Sequence, residues 1–335
     1  MPQTFGEKEK EITSNNLEEN GEGESEEEED FDLDPATHFP PHEYATPMKE
    51  NPLELNESIL DTINRLSEMQ PPRHDEYREI RMSINLSEFF LLEDGTIYNG
   101  YWFYGKPHAF GRFYYNNGNY YEGMVFDGYP HGEFGRKIWV DGSYYEGEFN
   151  KGEMSGEGTL DIAGRARFKG AFIEGKLNGE GTENWHNKCL YKGHFLDGKR
   201  DGFGKLEWIK KEGEEFYEGE FKNGLFDGKG KYKWQDGRIY EGDWKEGRMN
   251  GEGKFVWVDG RMYVGSYVND VKNGLGTFSW PGGRSFKGNW VDGLQEGEGV
   301  FTDKFNVAKV VKYSRGEKVV GENESIQNLS DIGLE

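Results

Sequence analysis

The chain has 335 residues, of which only 34% are hydrophobic and 49 are glycine, a balance too glycine-rich for a conventional helical or α/β core. Its formal net charge of -23 at pH 7 disfavours nucleic acid as a partner. The single thiol, Cys189, excludes an internal disulfide and leaves no C-x-x-C pair for zinc or redox work, which fits a reducing cytoplasmic compartment.

The chain opens MPQTFGEKEKEI, without a basic segment leading into an apolar one. No stretch approaches the roughly 18 apolar residues of a membrane span. Acidity is concentrated at the front: residues 1–97 hold 7 Lys and Arg against 26 Asp and Glu, whereas residues 98–305 hold 29 against 32. ENGEGESEEEEDFDLD, residues 19–34, repels itself and offers little to bury, so residues 1–52 are expected to form a disordered acidic tail. Such a tail serves as a solubilising segment or as an arm for a basic partner. His38 and His42 flank two prolines but lack further ligands, so they read as loop residues and no metal site is expected.

In NPLELNESILDTINRLSEMQPP, Leu55, Ile59, Ile63 and Leu66 recur at helical spacing and the pattern stops at Pro71. Residues 53–79 are therefore expected to be a short amphipathic helix and linker, its apolar stripe free to fold back on the body or to engage a partner. Ile80, Met82, Ile84 and Leu86 then alternate with polar residues ahead of FFLLEDG, which predicts a capping strand or hairpin over 80–97.

From residue 98 one phrase is restated, as in YEGEFKNGLFDGKGKYKWQDG at 217–237 and YEGDWKEGRMNGEGKFVWVDG at 240–260. Its opening aromatics are Tyr98, Tyr121, Tyr145, Phe168, Tyr191, Tyr217, Tyr240, Tyr263 and Phe286, spaced by 23, 24, 23, 23, 26, 23, 23 and 23 residues. A period of that length is the signature of a solenoid-like array. Four positions later come Trp102, Val125, Phe149, Phe172, Phe195, Phe221, Trp244, Tyr267 and Trp290, on the same strand face, while acidic pairs such as Glu146 with Glu148, Glu218 with Glu220, and Glu241 with Asp243 point the other way. One face is expected to be buried and the other wet.

A turn glycine follows (Gly105, Gly128, Gly152, Gly224, Gly247), then a G-x-G pair such as Gly228 and Gly230, then a second strand carrying Leu206 and Trp208, Tyr232 and Trp234, Phe255 and Trp257, or Phe278 and Trp280. Departures are Asp270 for the turn glycine, Ala109 for the first glycine of a pair, and an extra residue before Gly135. Each unit reads as a β-hairpin that cannot bury its aromatic face alone. The predicted fold is all-β: an elongated solenoid-like antiparallel sheet of about nine consecutive hairpins. At about 4.8 Å per strand it would extend roughly 85 Å.

These units resemble the membrane occupation and recognition nexus (MORN) repeat over residues 98–305, with the last unit a frayed or capping copy and residues 306–335 a C-terminal cap and tail. In enzymes that carry this repeat, the resemblance places catalysis in a separate domain. Here only 30 residues follow position 305, so no enzyme is expected. There is no G-x-x-x-x-G-K-S/T, H-E-x-x-H or G-x-S-x-G, and the GEG and GKG triplets lack a following helix to cradle phosphate. The recurring acidic pairs read as solvated charge. Catalytic residues, cofactors and metals are all expected to be absent.

What remains is surface. Trp139, Trp185, Trp208, Trp234, Trp257 and Trp280 occupy equivalent positions, with Tyr115 and Ile162 completing the row. They stack into the core or line an apolar groove for a partner helix or extended segment. The core aromatics include Tyr145, Phe149, Tyr217, Phe221, Tyr240, Trp244, Tyr263, Phe286 and Trp290. The resemblance implies a non-catalytic scaffold or adaptor with protein partners in a cytoskeletal assembly, of the ciliary axonemal, radial-spoke-head kind, often dimeric. A tether on anionic phospholipids is the alternative, disfavoured because the array lacks large Lys/Arg clusters. A regulatory subunit of an enzyme is the third.

Overall fold

The computed structural model describes residues 45–48 and 89–319, both within the compact unit Thr37–Glu335. The expected amphipathic helix at 53–69, the strand at 80–86 and most of the acidic tail lie outside the described residues. Every described element is a β-strand: β1 (Ala45–Met48), β2 (Phe89–Leu92), β3 (Ile97–Phe103), β4 (Lys106–Tyr114), β5 (Tyr120–Phe126), β6 (Tyr129–Ile138), β7 (Tyr144–Asn150), β8 (Glu153–Ile162), β9 (Ala166–Ile173), β10 (Lys176–Trp185) and β11 (Cys189–Leu196). Then come β12 (Lys199–Trp208), β13 (Glu215–Lys222), β14 (Leu225–Lys233), β15 (Ile239–Lys245), β16 (Arg248–Val256), β17 (Met262–Val268), β18 (Val271–Ser279), β19 (Ser285–Val291), β20 (Leu294–Thr302), β21 (Ala308–Ser314) and β22 (Glu317–Val319). Each pairs antiparallel with the next in sequence, so the sheet is an open meander.

Two expected boundaries move. Ala45–Met48 is a strand, with Met48 registered on Phe89, inside the stretch expected to be a disordered tail. At the other end β21 and β22 add a tenth hairpin. The ninth unit is regular: Gly288 faces Gly299 as its counterparts do.

Two contiguous positive-φ residues, Asn223 (50°) with Gly224 (86°) and Glu246 (49°) with Gly247 (81°), make the tight turn inside each hairpin. That is the two-residue geometry whose twist matches its flanking strands. At the turn lacking glycine, Asn269 and Asp270 take the same conformation at 47° and 71°, which short polar side chains tolerate.

Register follows from the tyrosines. Each lies flat over a cross-strand glycine pair, and a Cβ on Gly230 would fall well inside 3.0 Å of the Tyr217 ring. The Tyr217 hydroxyl donates to the Glu220 carbonyl at 2.8 Å, and Tyr98, Tyr121, Tyr191 and Tyr240 repeat that bond to the carbonyl three residues on. The glycines join into a ladder across β3–β20: Gly219 faces Gly204 and Gly230, Gly230 faces Gly242, Gly242 faces Gly253, and so on until Val311 ends the row. No other residue type leaves room for a buried aromatic ring on a single-layer sheet.

Inside each hairpin a β-bulge follows the glycine pair. In β14 it is centred on Gly228 (φ 103°), and the Glu220 carboxylate accepts the Lys229 amide at 2.9 Å. Asp243 and Glu148 do the same for the amides of Glu252 and Glu157 at 2.8 and 2.9 Å. One member of each acidic pair thus holds a bulge closed.

The face opposite the tyrosines is not uniformly wet. In the first three repeats Tyr120, Ile138 and Tyr144 form a separate buried cluster with Tyr114 packed against it. Tyr120 and Tyr144 each precede a repeat tyrosine, so strand alternation turns them to the other side. The double aromatics at 120–121 and 144–145 carried that signal.

Candidate binding face

The opening aromatic of each repeat and its neighbour four residues on bring the core aromatics together. Tyr145, Phe149, Tyr217, Phe221, Tyr240, Trp244, Tyr263, Phe286 and Trp290 are all buried. Rings meet edge to face within a repeat, Tyr217 on Phe221 at 5.0 Å and Tyr240 on Trp244 at 5.1 Å, and again across repeats, Tyr217 on Trp244 at 5.5 Å.

The tryptophan row shares this face, nearer the strand ends. All six rings are half-buried, and all but Trp185 pack against the core cluster. Four belong to one strip, with centroids 5.4 Å apart from Trp208 to Tyr232, 4.5 Å to Trp234, 5.3 Å to Phe255, 4.5 Å to Trp257, 5.4 Å to Phe278 and 4.6 Å to Trp280. Trp139 and Trp185 stand apart from it: Lys137 lies 5.6 Å from the Trp139 ring, and the Trp185 indole donates to Glu183. The guanidinium groups of Arg238 and Arg261 sit 5.3 and 5.7 Å over Trp234 and Trp257, each held by an aspartate two residues earlier, Asp236 and Asp259, at 2.7 Å. The strip therefore offers aromatic surface edged by paired charge.

Three polar positions interrupt the aromatic face, and sequence reasoning passed over them. Glu183 occupies the slot that holds Leu206, Tyr232 or Phe255 elsewhere; it is buried and accepts from Arg200 Nε at 2.8 Å. The Arg200 guanidinium also lies 5.1 Å over Tyr191. The Lys272 ammonium rests 4.1 Å from the Trp290 ring, and burial, together with the nearby Arg261 charge, holds its pKa below the ordinary lysine value. Burial likewise lowers Lys137. The signal was a charged residue at an inward position of the second strand.

Two grooves open on the other face, over the glycine ladder. One, of about 490 Å³, has Val264, Leu275, Val300 and Val310 as walls; the next, of about 680 Å³, is walled by Glu218, Lys231, Glu241 and Lys254. Among the described residues no three His, Cys, Asp or Glu side chains converge to hold a metal ion, and no helix is long and apolar enough to cross a membrane. Burial pushes the Cys189 thiol up from its ordinary pKa.

The profile of the MORN repeat matches residues 98–120, 121–144, 145–163, 168–190, 191–211, 217–237, 240–260, 263–283 and 286–304. No curated protein matches the chain. Among solved structures, a mutant TCP10 domain of Danio rerio CPAP is similar at 8% identity and a TM-score of 0.26, over 69% of this chain and 96% of that one. The SAS-4 (dCPAP) TCP domain of Drosophila melanogaster, in complex with a proline-rich motif of Ana2 (dSTIL), is similar at 14% identity and a TM-score of 0.25, over 60% and 88%.

Proposed function

The chain belongs to the MORN-repeat family, and from that premise we propose that it is a non-catalytic scaffold or adaptor whose tryptophan-lined face binds protein partners. The observation that carries this reading is the continuous strip from Trp208 to Trp280: large rings, half-buried and in register, on a sheet with no second layer over them among the described residues. Rigid aromatic anchors flanked by charge are the usual energetic centres of protein interfaces. The paired aspartates beside Arg238 and Arg261 offset the cationic charge along this strip, which ranks a phospholipid tether second and an enzyme-regulating role third.

The partners we propose are components of a cytoskeletal complex, and more narrowly of a ciliary axoneme in a radial-spoke-like position, with a homodimer compatible with the open sheet edges. This narrower placement is supported by family resemblance alone. The test is to strip cells with mild detergent, separate cilia from cell bodies, cross-link the insoluble fraction and identify the products by mass spectrometry. Retention in stripped axonemes, with cross-links from repeats five to eight to defined proteins, is expected. Release together with the lipids would replace the scaffold by the tether.

A further inference from the structure

We propose that residues 53–69 dock on the face opposite the tyrosines in the first three repeats, their apolar stripe lying on Tyr114, Tyr120, Ile138 and Tyr144. Tyr120 and Tyr144 are 4% exposed and Ile138 0%, although each stands on an outer face of a single sheet. The same face farther along leaves Val264 44% and Leu275 74% exposed. Neighbouring strands flank such side chains but cannot roof them, so a further layer lies over this patch and not over the later one.

The chain supplies that layer at the right place. Met48 of β1 is registered on Phe89 of β2, so the intervening residues 49–88 leave and return at one point of the sheet. The Phe89 ring lies 6.2 Å from Tyr114, at the near end of the cluster. From β4 to β7 the cluster spans three strand spacings, about 14 Å. Along a helix, Leu55 to Leu66 spans about 16 Å. Length, amphipathic period and attachment all agree.

Charge agrees as well. Glu122 and Arg136 are 5% exposed beside the cluster, where charge is tolerated only when paired. Arg112 and the Tyr120 hydroxyl donate to Glu122 at 2.9 Å, and Arg136 donates to Glu146 at 3.2 Å through one terminal nitrogen. Arg136 Nε is buried without a hydrogen-bond partner among the described residues. Segment 53–69 brings Glu54, Glu57, Asp61 and Glu68 against a single basic residue, Arg65. An acidic face on the docked helix would meet that guanidinium.

Hydroxyl-radical footprinting of the full chain, read by mass spectrometry at single residues, tests the assignment with wild type and an Ile59→Ser, Ile63→Ser variant. Oxidation of Tyr120 and Tyr144 is expected to rise about tenfold in the variant, while Tyr217 and Tyr240 stay at their wild-type rates. Unchanged protection of Tyr120 and Tyr144 overturns the proposal. So does a rise shared by Tyr217 and Tyr240, which would make the segment a requirement of the whole array instead of a local cover. Wild-type protection that disappears on dilution would assign the patch to a second copy of the chain, and protection that appears only with cell extract would assign it to another protein; either result overturns it too.

Discussion

Replacing Gly230 by alanine sets a Cβ against the hydroxyl and ring of Tyr217, a fully buried side chain with no room to move aside. Replacing Gly224 meets open space and only a strained φ of 86°. The first is expected to lower stability by about 2–3 kcal/mol through overpacking, the second by about 1 kcal/mol through backbone strain alone; urea denaturation of the two variants separates them. Glu183 offers a second contrast. Glu183→Gln leaves Arg200 buried against an uncharged partner and is expected to cost about 3 kcal/mol, whereas Glu183→Leu with Arg200→Met is expected to cost little. Equal losses in the single and double variants would show that the pair stabilises the face beyond what apolar packing supplies. The repeat spacing located every tyrosine over the glycine ladder, but a period cannot reveal which copy exchanges an apolar residue for a charge, and the buried pair became visible only through its geometry.

Hairpins were legible because the glycine and aromatic positions are fixed by contacts within and between neighbouring units: the tight turn, the bulge and the ring over its glycine pair each leave a residue type behind. The opposite face was less legible. Its alternate positions hold Glu, Lys, Thr, Val or Phe with no period of their own, so the buried Tyr120 cluster was concealed behind an average of wet copies. Pairing of each strand only with its sequence neighbours also gives the unit an independence that can be measured. Deleting residues 240–262 removes 23 residues, one full repeat, and rejoins equivalent positions. The shortened chain is expected to keep its circular dichroism per residue, whereas removal of residues 240–251, half a hairpin, is expected to unfold the flanking repeats. At the same scale, Trp234→Ala with Trp257→Ala opens two gaps in one strip. Loss of partner cross-links with strand content retained is expected, and unchanged binding would remove the strip from the proposed interface.

For the molecule as a whole, the recurring buried phenols couple stability to alkaline pH. Burial raises Tyr98, Tyr145, Tyr191, Tyr217 and Tyr240, and pushes Tyr263 up to about 12. The folded chain thus favours the neutral phenol more than the unfolded chain does, with its ordinary value near about 10. Stability is intact below that value and falls as pH rises through it toward the folded values, each repeat adding to the slope. Absorbance at alkaline pH, followed together with circular dichroism, is expected to show these tyrosines ionising only as strands are lost; phenolate formation on an intact sheet would contradict the burial described.

The glycine ladder has a mechanical meaning. Along one line crossing eighteen strands, the sheet carries no side chain on the tyrosine face, and the aromatic rings lie directly on the backbone there. Bending that closes the tyrosine face presses rings already seated on backbone, whereas bending the opposite way narrows open grooves walled by side chains such as Val264, Leu275, Glu218 and Lys231. The array is therefore a spring of unequal stiffness, compliant in one sense and hard in the other, and a protein anchored along its tyrosine side would brace the sense in which it already resists.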